Sequence, residues 1–438
     1  MNKFKLTPLE KSWVLYDIGN SAFVLLAATL LPIFFNGLAS GAGISNQDYL
    51  TYWAYAGSIA TALVAIIGPI CGSLTNQKGF KKPVFVISML LGAMGCIALG
   101  LAKSWLLFLV LFIIAKVGFS SSIVFYDSML PEITTDERMD NVSSKGYAYS
   151  YIGSCIPFLV CLALVLFYDK IGISLSTAMV LALVLTGVWW IVCSLPLLKS
   201  YRQTAYVERR KNAIGETFKE LGRTLLHAFK HPKIILYLVA FFFFINGVYT
   251  IIDMATAYGT SLGLDTTGLL LALLVTQIVA FPFAILFGRL ASKFRPGSLM
   301  KICILCYTGI TVFAVFLVAQ WQFWLLAVLV GMFQGAIQAL SRSYFGKIIP
   351  AERSGSYFGL MDICGKGASF LGGLLIGTIN TFTEDITLDI FGIQLQSQNF
   401  AVSSLIVLFI IGFVLFCIAD KLPLFSVTDQ LKKELKDE

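Results

Sequence analysis

Six ionisable side chains interrupt stretches of the chain that are otherwise apolar: Asp17, Lys116, Asp127, Asp253, Asp362 and Lys366. Nothing around them suggests covalent catalysis. Their chemistry is that of holding or exchanging a charge in an apolar setting, whether with a charged solute, a proton or one another. Lys116 sits near the middle of the apolar run 105–127. An ammonium there would have to reach about 15 Å to water at 1.5 Å per residue, so it must meet a carboxylate, water or substrate. A fixed ion pair with a neighbouring helix is the competing reading. Asp362 and Lys366 are four residues apart and share one helical face, which suits either substrate binding or mutual neutralisation. Asp17 and Asp127 lie about one turn from the ends of their runs, where a carboxylate can equally cap a helix or bind a basic loop.

Uncharged polar residues extend this set. Gln334, Gln338 and Arg342 follow one another at i+4, a stripe that does not suit lipid. Asn20, Asn246 and Gln277 add amides, and Tyr16, Tyr249 and Tyr258 add amphipathic walls. The candidate substrate-binding residues are Tyr16, Asn20, Lys116, Asn246, Tyr249, Asp253, Gln277, Gln334, Gln338, Asp362 and Lys366. The candidate coupling and gating residues are Asp17, Asp127, Asp253, Asp362, Lys78, Lys81 and Arg342. In this scheme Lys116 takes an anionic group, Asp253 or Asp362 takes a cationic one, and either carboxylate carries a transported proton. Lys78, Lys81 and Lys82 are expected to pair with Asp127, Glu132 or Asp136. Phe241 to Phe244 read as lipid-facing bulk.

Metal and cofactor chemistry is not expected. His227 and His231 stand in a basic loop without thiol or carboxylate partners, and the nine cysteines are scattered through apolar stretches. Cys303 and Cys306 form a C-x-x-C inside one such stretch and read as small packing residues. A P-loop is absent, which argues against ATP hydrolysis, and no enzymatic activity is expected.

The elements that must position these residues follow from composition. The chain has 438 residues, 58% hydrophobic and 13% charged, with a mean hydropathy of +0.83. Soluble chains carry about 25% charged residues, so a soluble enzyme and a disordered chain are both excluded. Apolar windows predict an all-α polytopic membrane protein of twelve transmembrane helices, near 13–37, 50–73, 84–102, 105–127, 146–168, 175–197, 234–257, 266–290, 298–318, 322–345, 355–378 and 399–419. The first run follows Lys3, Lys5 and Lys11 but is too long for a signal peptide, so it reads as a permanent span. Of the 32 lysines and arginines, only Lys103 and Lys170 fall in loops on one side, and Lys116 and Lys366 fall inside spans. The basic side is expected to be cytoplasmic, with both termini on it, in the inner membrane if the cell is bacterial. The net charge of +8 thus reflects orientation and predicts no nucleic-acid partner.

The expected organisation is an N-terminal bundle over 1–198, a basic linker over 199–233, a C-terminal bundle over 234–421 and a tail over 422–438. Within the linker, Ile214, Phe218, Leu221 and Leu225 follow helical spacing beside Arg209, Arg210, Lys211, Lys219 and Arg223. A helix lying on the membrane surface and a solvated helical linker fit this pattern equally. The halves also resemble each other. Gly72-Ser-Leu-Thr-Asn76-Gln-Lys78-Gly79 recurs as Gly288-Arg-Leu-Ala-Ser292-Lys293, and Tyr126-Asp127 with Pro131 and Arg138 recurs as Tyr344-Phe345 with Pro350 and Arg353, each about half the chain later. That pattern indicates parallel six-helix repeats.

At these residues the chain resembles the major facilitator superfamily, with Asn76 where that superfamily's loop between helices 2 and 3 usually has Asp. Four further segments resemble the vacuole-effluxer family, the autophagy-related amino-acid effluxers and their bacterial relatives. They are Tyr16-Asp17-Ile-Gly-Asn20-Ser-Ala-Phe23; Leu130-Pro131-Glu132 with Val142-Ser143 and Gly146-Tyr147-Ala148; Asn246-Gly-Val-Tyr249-Thr-Ile-Ile252; and Gln338-Ala-Leu-Ser341-Arg342-Ser343 with Phe358-Gly359 and Gly365-Lys366. Relatives often have Asp at the position of Asn246, and Asp253 further along the same helix is the replacement candidate for a proton site.

The resemblance implies a major-facilitator fold and secondary active transport by alternating access, with a small amino-acid-like or zwitterionic solute, proton-coupled export, membrane lipids as surroundings and a monomeric state. Two alternatives stand beside it. A lipid or lysolipid translocase would confine its charges to one end of the cavity, and a non-transporting receptor or scaffold would not require lone charges in both halves.

Overall fold

The computed structural model describes residues 4–208, 213–261, 263–383, 386–390 and 393–423. Residues 209–212 of the basic linker and the tail beyond 423 lie outside the described residues. The first half contains α1 (Pro8–Gly41), α2 (Asn46–Thr75), α3 (Lys81–Leu99), α4 (Trp105–Ser128), α5 (Leu130–Ile133), α6 (Asp136–Leu166), α7 (Tyr168–Ile171) and α8 (Leu175–Ser200). Next come α9 (Ala213–Lys230), α10 (Pro232–Ser261), α11 (Thr266–Ala291) and α12 (Pro296–Val315). The chain ends with α13 (Gln320–Ile348), α14 (Ser354–Phe382), the antiparallel strands β1 (Leu388–Ile390) and β2 (Ile393–Leu395), and α15 (Ser397–Lys421).

Twelve of these helices are long and apolar enough to cross a membrane. The chain is an all-α polytopic membrane protein. Polar residues set the helix starts. Thr7 and Glu10 form a reciprocal capping box that brackets Pro8, and Ser104, Ser174 and Asp265 each accept a hydrogen bond from the backbone N–H three residues on. Each such cap contributes about 1 kcal/mol. Gly172 closes α7 with φ of 77°, a left-handed conformation that residues with a Cβ rarely adopt.

The chain divides into two compact units. Unit 1 holds Met1–Thr135, Tyr149–Leu221 and Ala351–Gly359, and unit 2 holds Asp136–Ala148, Gly222–Pro350 and Leu360–Glu438. In unit 1, α1 packs along α8, α2 along α4, and α3 along both α4 and α8. In unit 2, α10 packs along α15, α11 along α13, and α12 along both α13 and α15. The two packing schemes are the same once the spans are matched in order, so the internal repeat visible in the loops extends to helix packing.

Aromatic cores hold each unit. In unit 1, Trp13 stacks on Tyr126 with ring centroids 4.3 Å apart and donates its indole N–H to the Tyr126 carbonyl at 3.1 Å. In unit 2, Tyr237 stacks on Tyr344 and Phe345 and donates its hydroxyl to the Ser341 carbonyl at 2.8 Å. After α8, unit 1 runs as an extended strap along the loop between α2 and α3. Lys78 N donates to Val207 O at 3.0 Å, Val207 N donates to Asn76 O at 2.8 Å, and the Gln203 amide donates to Thr75 O at 3.0 Å.

Candidate functional site

Within unit 2, one stripe of α14 faces α10. Asp362, Gly365, Lys366, Ser369 and Gly372 recur at i, i+3, i+4, i+7 and i+10, the spacing of a single helical face. The two glycines let α10 come close. A Cβ on Gly372 would overlap Thr250 Oγ1 and Asn246 Oδ1, whereas one on Gly365 would meet the Tyr249 ring at 3.5 Å. The polar groups of this seam contact one another. Ser369 donates to the Asp253 carboxylate at 2.9 Å, Lys366 pairs with Asp362, and Thr250 donates to Asn246 Oδ1 at 3.1 Å. Asn246 is buried, Tyr249, Asp362 and Lys366 are half-buried, and Asp253 is exposed at the protein surface.

The other unit 2 candidates lie on α11 and α13. Gln277 is half-buried on α11, and its Oε1 has no hydrogen-bond partner among the described residues. Gln334 is buried on α13 and Gln338, one turn on, is half-buried. Arg342 continues the stripe but is held against the start of α6. Its Nε and Nη2 donate to Ser143 Oγ and O at 2.9 and 3.1 Å, and its guanidinium lies 4.4 Å from the Tyr147 ring centroid. Beside it, Asp140 accepts from Lys347 at 2.5 Å and from Ser343 at 2.7 Å.

In unit 1 the α1 candidates pack inward. Tyr16 is fully buried against Phe85 and Tyr126 and donates its hydroxyl to Ser122 at 2.7 Å. Asn20 is buried and donates back to the Tyr16 carbonyl at 3.1 Å. Asp17 is buried and Asp127, at the end of α4, is half-buried. Lys116 is half-buried on α4, with its ammonium 5.7 Å from the Phe112 ring centroid. It points toward α2 at Gly57, where a Cβ would stand 3.6 Å from Nζ. Trp53 stacks on Phe112 at 4.3 Å, so an aromatic wall borders this lysine.

Lys81 is fully buried at the head of α3. It donates to Glu132 at 2.5 Å, to Ser354 at 2.9 Å and to the Ser128 carbonyl at 3.3 Å. Glu132 is the hub of this corner. It also accepts from the Tyr201 hydroxyl at 3.1 Å and from the backbone N–H groups of Thr204 and Ala205 at 2.7 and 3.2 Å. Burial, reinforced by the Glu132 carboxylate beside it, pushes the Tyr201 phenol well above its ordinary pKa, so it remains a donor. Lys78 pairs with Glu208 at 3.2 Å on the surface, which raises its pKa, and Lys82 donates to the Tyr201 carbonyl at 3.4 Å.

Among these contacts, Ser369 and Asp140 were not singled out in the sequence, and Thr250 and Ser143 entered only within the segments that carry the family resemblance. Ser369 was findable, since it continues the Asp362–Lys366 face by one more turn. Asp140 carried no such signal, because it lies in a polar stretch and its partners are far away in the chain. Among the described residues, no group of three or more metal-capable side chains comes together.

A family model, the vacuole effluxer Atg22-like family, matches residues 9–421. The chain belongs to that family. An uncharacterised MFS-type transporter of Bacillus subtilis is 37% identical over 97% of this chain and 98% of its own. Autophagy-related protein 22 of Coccidioides immitis is 23% identical over 86% of this chain and 75% of its own. Two solved structures share the fold at 14% identity. FucP, a major facilitator superfamily (MFS) transporter in the outward conformation, has a TM-score of 0.66 and covers 94% of this chain and 97% of its own. A bacterial homologue of the iron transporter ferroportin, outward-facing, has a TM-score of 0.69 and covers 95% and 99%. The protein is a transporter of the major-facilitator fold, a multi-pass integral membrane protein.

Proposed function

We propose that this transporter is a secondary active exporter of a small zwitterionic, amino-acid-like solute, working by alternating access with proton coupling. The observation that carries this reading is the α10–α14 seam. It places an ammonium and two carboxylates, Lys366, Asp362 and Asp253, on facing helices within membrane-spanning segments. Ionisable groups at such depth are costly and are kept where a substrate or ion needs them. A zwitterion offers one group to each sign. Its carboxylate would compete with Asp362 for Lys366, and its ammonium would compete with Ser369 for Asp253.

A charge-assisted hydrogen bond of about 1.5–3 kcal/mol is sufficient to separate substrate from an uncharged analogue by roughly tenfold or more. Ligand binding shifts the transport cycle only by its differential affinity for the conformations involved. Asp253, which accepts from the Ser369 hydroxyl and is exposed on α10, is the carboxylate we assign to the exchanged proton. In unit 1, Lys116 is the corresponding candidate for an anionic substrate group, and the Phe112–Trp53 wall beside it suits an apolar side chain. We place both termini on the cytoplasmic side, on the support of the basic loops, and treat the working unit as a monomer.

The test is a melting-temperature screen of the purified protein against amino acids, their methyl esters, their N-acetyl derivatives, short peptides and lysolipids. Stabilisation by free amino acids, lost when either charge is blocked, is the expected result. Stabilisation by lysolipids alone would replace this reading with lipid translocation.

A further inference from the structure

The linker helix α9 leads into the span α10 with only His231 between them. Its second half, residues 222–230, belongs to unit 2 together with that span. There the helix lies the opposite way round from a helix on a water-soluble protein. Thr224, His227 and Ala228 are buried, with His231 continuing the stripe at the next turn. Leu225, Leu226 and Phe229 point outward, Leu226 at 63% and Phe229 at 67% exposure. A helix against water buries its apolar stripe and exposes its polar one. This one turns hydroxyl and imidazole groups toward the protein and large apolar groups away from it.

We propose that the outward face of α9 is a docking surface for the anionic surface of the bilayer that the chain spans. Two observations select that occupant. The first is continuity, because α9 joins a helix long and apolar enough to span the membrane, whose own outward side chains, such as Val239, are exposed in the same way. The second is charge. Arg223 and Lys230 belong to its second half, residues 222–230, which contains no Asp or Glu. Arg223 and Lys230 flank the apolar patch, half-buried and exposed respectively. Leu and Phe embedded at the acyl boundary with Lys and Arg among the headgroups is how an interfacial helix binds, more strongly to anionic lipid than to zwitterionic lipid.

The experiment places single cysteines at Leu226, Phe229 and Lys230 of the full-length protein. It follows their modification by a charged, membrane-impermeant maleimide in proteoliposomes, with the parent protein as blank for the native cysteines. In vesicles containing phosphatidylglycerol, L226C and F229C should react about tenfold more slowly than K230C. Replacing phosphatidylglycerol with phosphatidylcholine should shrink that difference. Reaction of L226C and F229C as fast as K230C in phosphatidylglycerol vesicles would overturn the docking surface. Equal protection in both lipids would overturn its preference for anionic headgroups. Because labelling compares sites within folded protein, a variant that melts below the parent is replaced by its neighbour L225C on the same face.

Discussion

The two units solve one problem with different chemistry at the corner where a loop turns into the next helix. In unit 1 the ion pair is Lys81–Glu132, with neither side chain exposed, and Glu132 is further bound by a phenol and two backbone N–H groups of the strap after α8. In unit 2 the pair is Lys347–Asp140, with the lysine 20% exposed, and the neighbouring Arg342 is held by Ser143 and the Tyr147 ring. A buried pair compensates its desolvation only when the remaining lone pairs and protons are satisfied. Unit 1 meets that condition through residues remote in sequence, while unit 2 leaves part of its pair in contact with solvent. The unit 1 corner should therefore be the rigid one and the unit 2 corner the yielding one.

This contrast can be broken by mutation. The largest effect is expected from Glu132→Gln, which leaves the Lys81 ammonium buried without its counter-charge. It should destabilise the protein by about 3–5 kcal/mol, read as a fall in melting temperature, and Lys81→Met in the same chain should restore much of the loss. Gly355→Ala comes next, because its Cβ would overlap Thr75 Oγ1 and the Gly72 carbonyl of α2. Overpacking of that kind costs about 1–3 kcal/mol. Asp140→Asn should cost less than Glu132→Gln in the same assay, since Lys347 can turn to water. An equal or larger loss would reverse the ranking of the two corners. The smallest effect is expected for Lys78→Ala, whose exposed pairing with Glu208 should leave the melting temperature unchanged within error.

Much of the architecture was legible in the sequence, for physical reasons that can be named. Long apolar runs have no soluble use, so all the spans could be counted from hydropathy alone. The repeat of Gly72–Lys78 at Gly288–Lys293 foretold the matched packing of the two units. Individual contacts were less legible. Lys81 finds Glu132, one of the carboxylates expected for it, whereas Lys78 finds Glu208 instead. Spacing along one helix fixes a face, as for Asp362 and Lys366. It does not say which neighbour that face meets, and so Ser369 against Asp253 emerged only from the crossing of α14 over α10. Tyr16 shows the same limit, since its amphipathic ring could line a wall or fill a core, and the structure packs it against Phe85 and Tyr126.

The α10–α14 seam can be tested in transport itself. Counterflow of labelled amino acids into proteoliposomes should be supported by the parent protein and inhibited by unlabelled zwitterions but not by their esters. Lys366→Gln should abolish it, with the melting temperature close to that of the parent. Full counterflow by Lys366→Gln with unchanged apparent affinity would contradict the assignment of the seam as the substrate site.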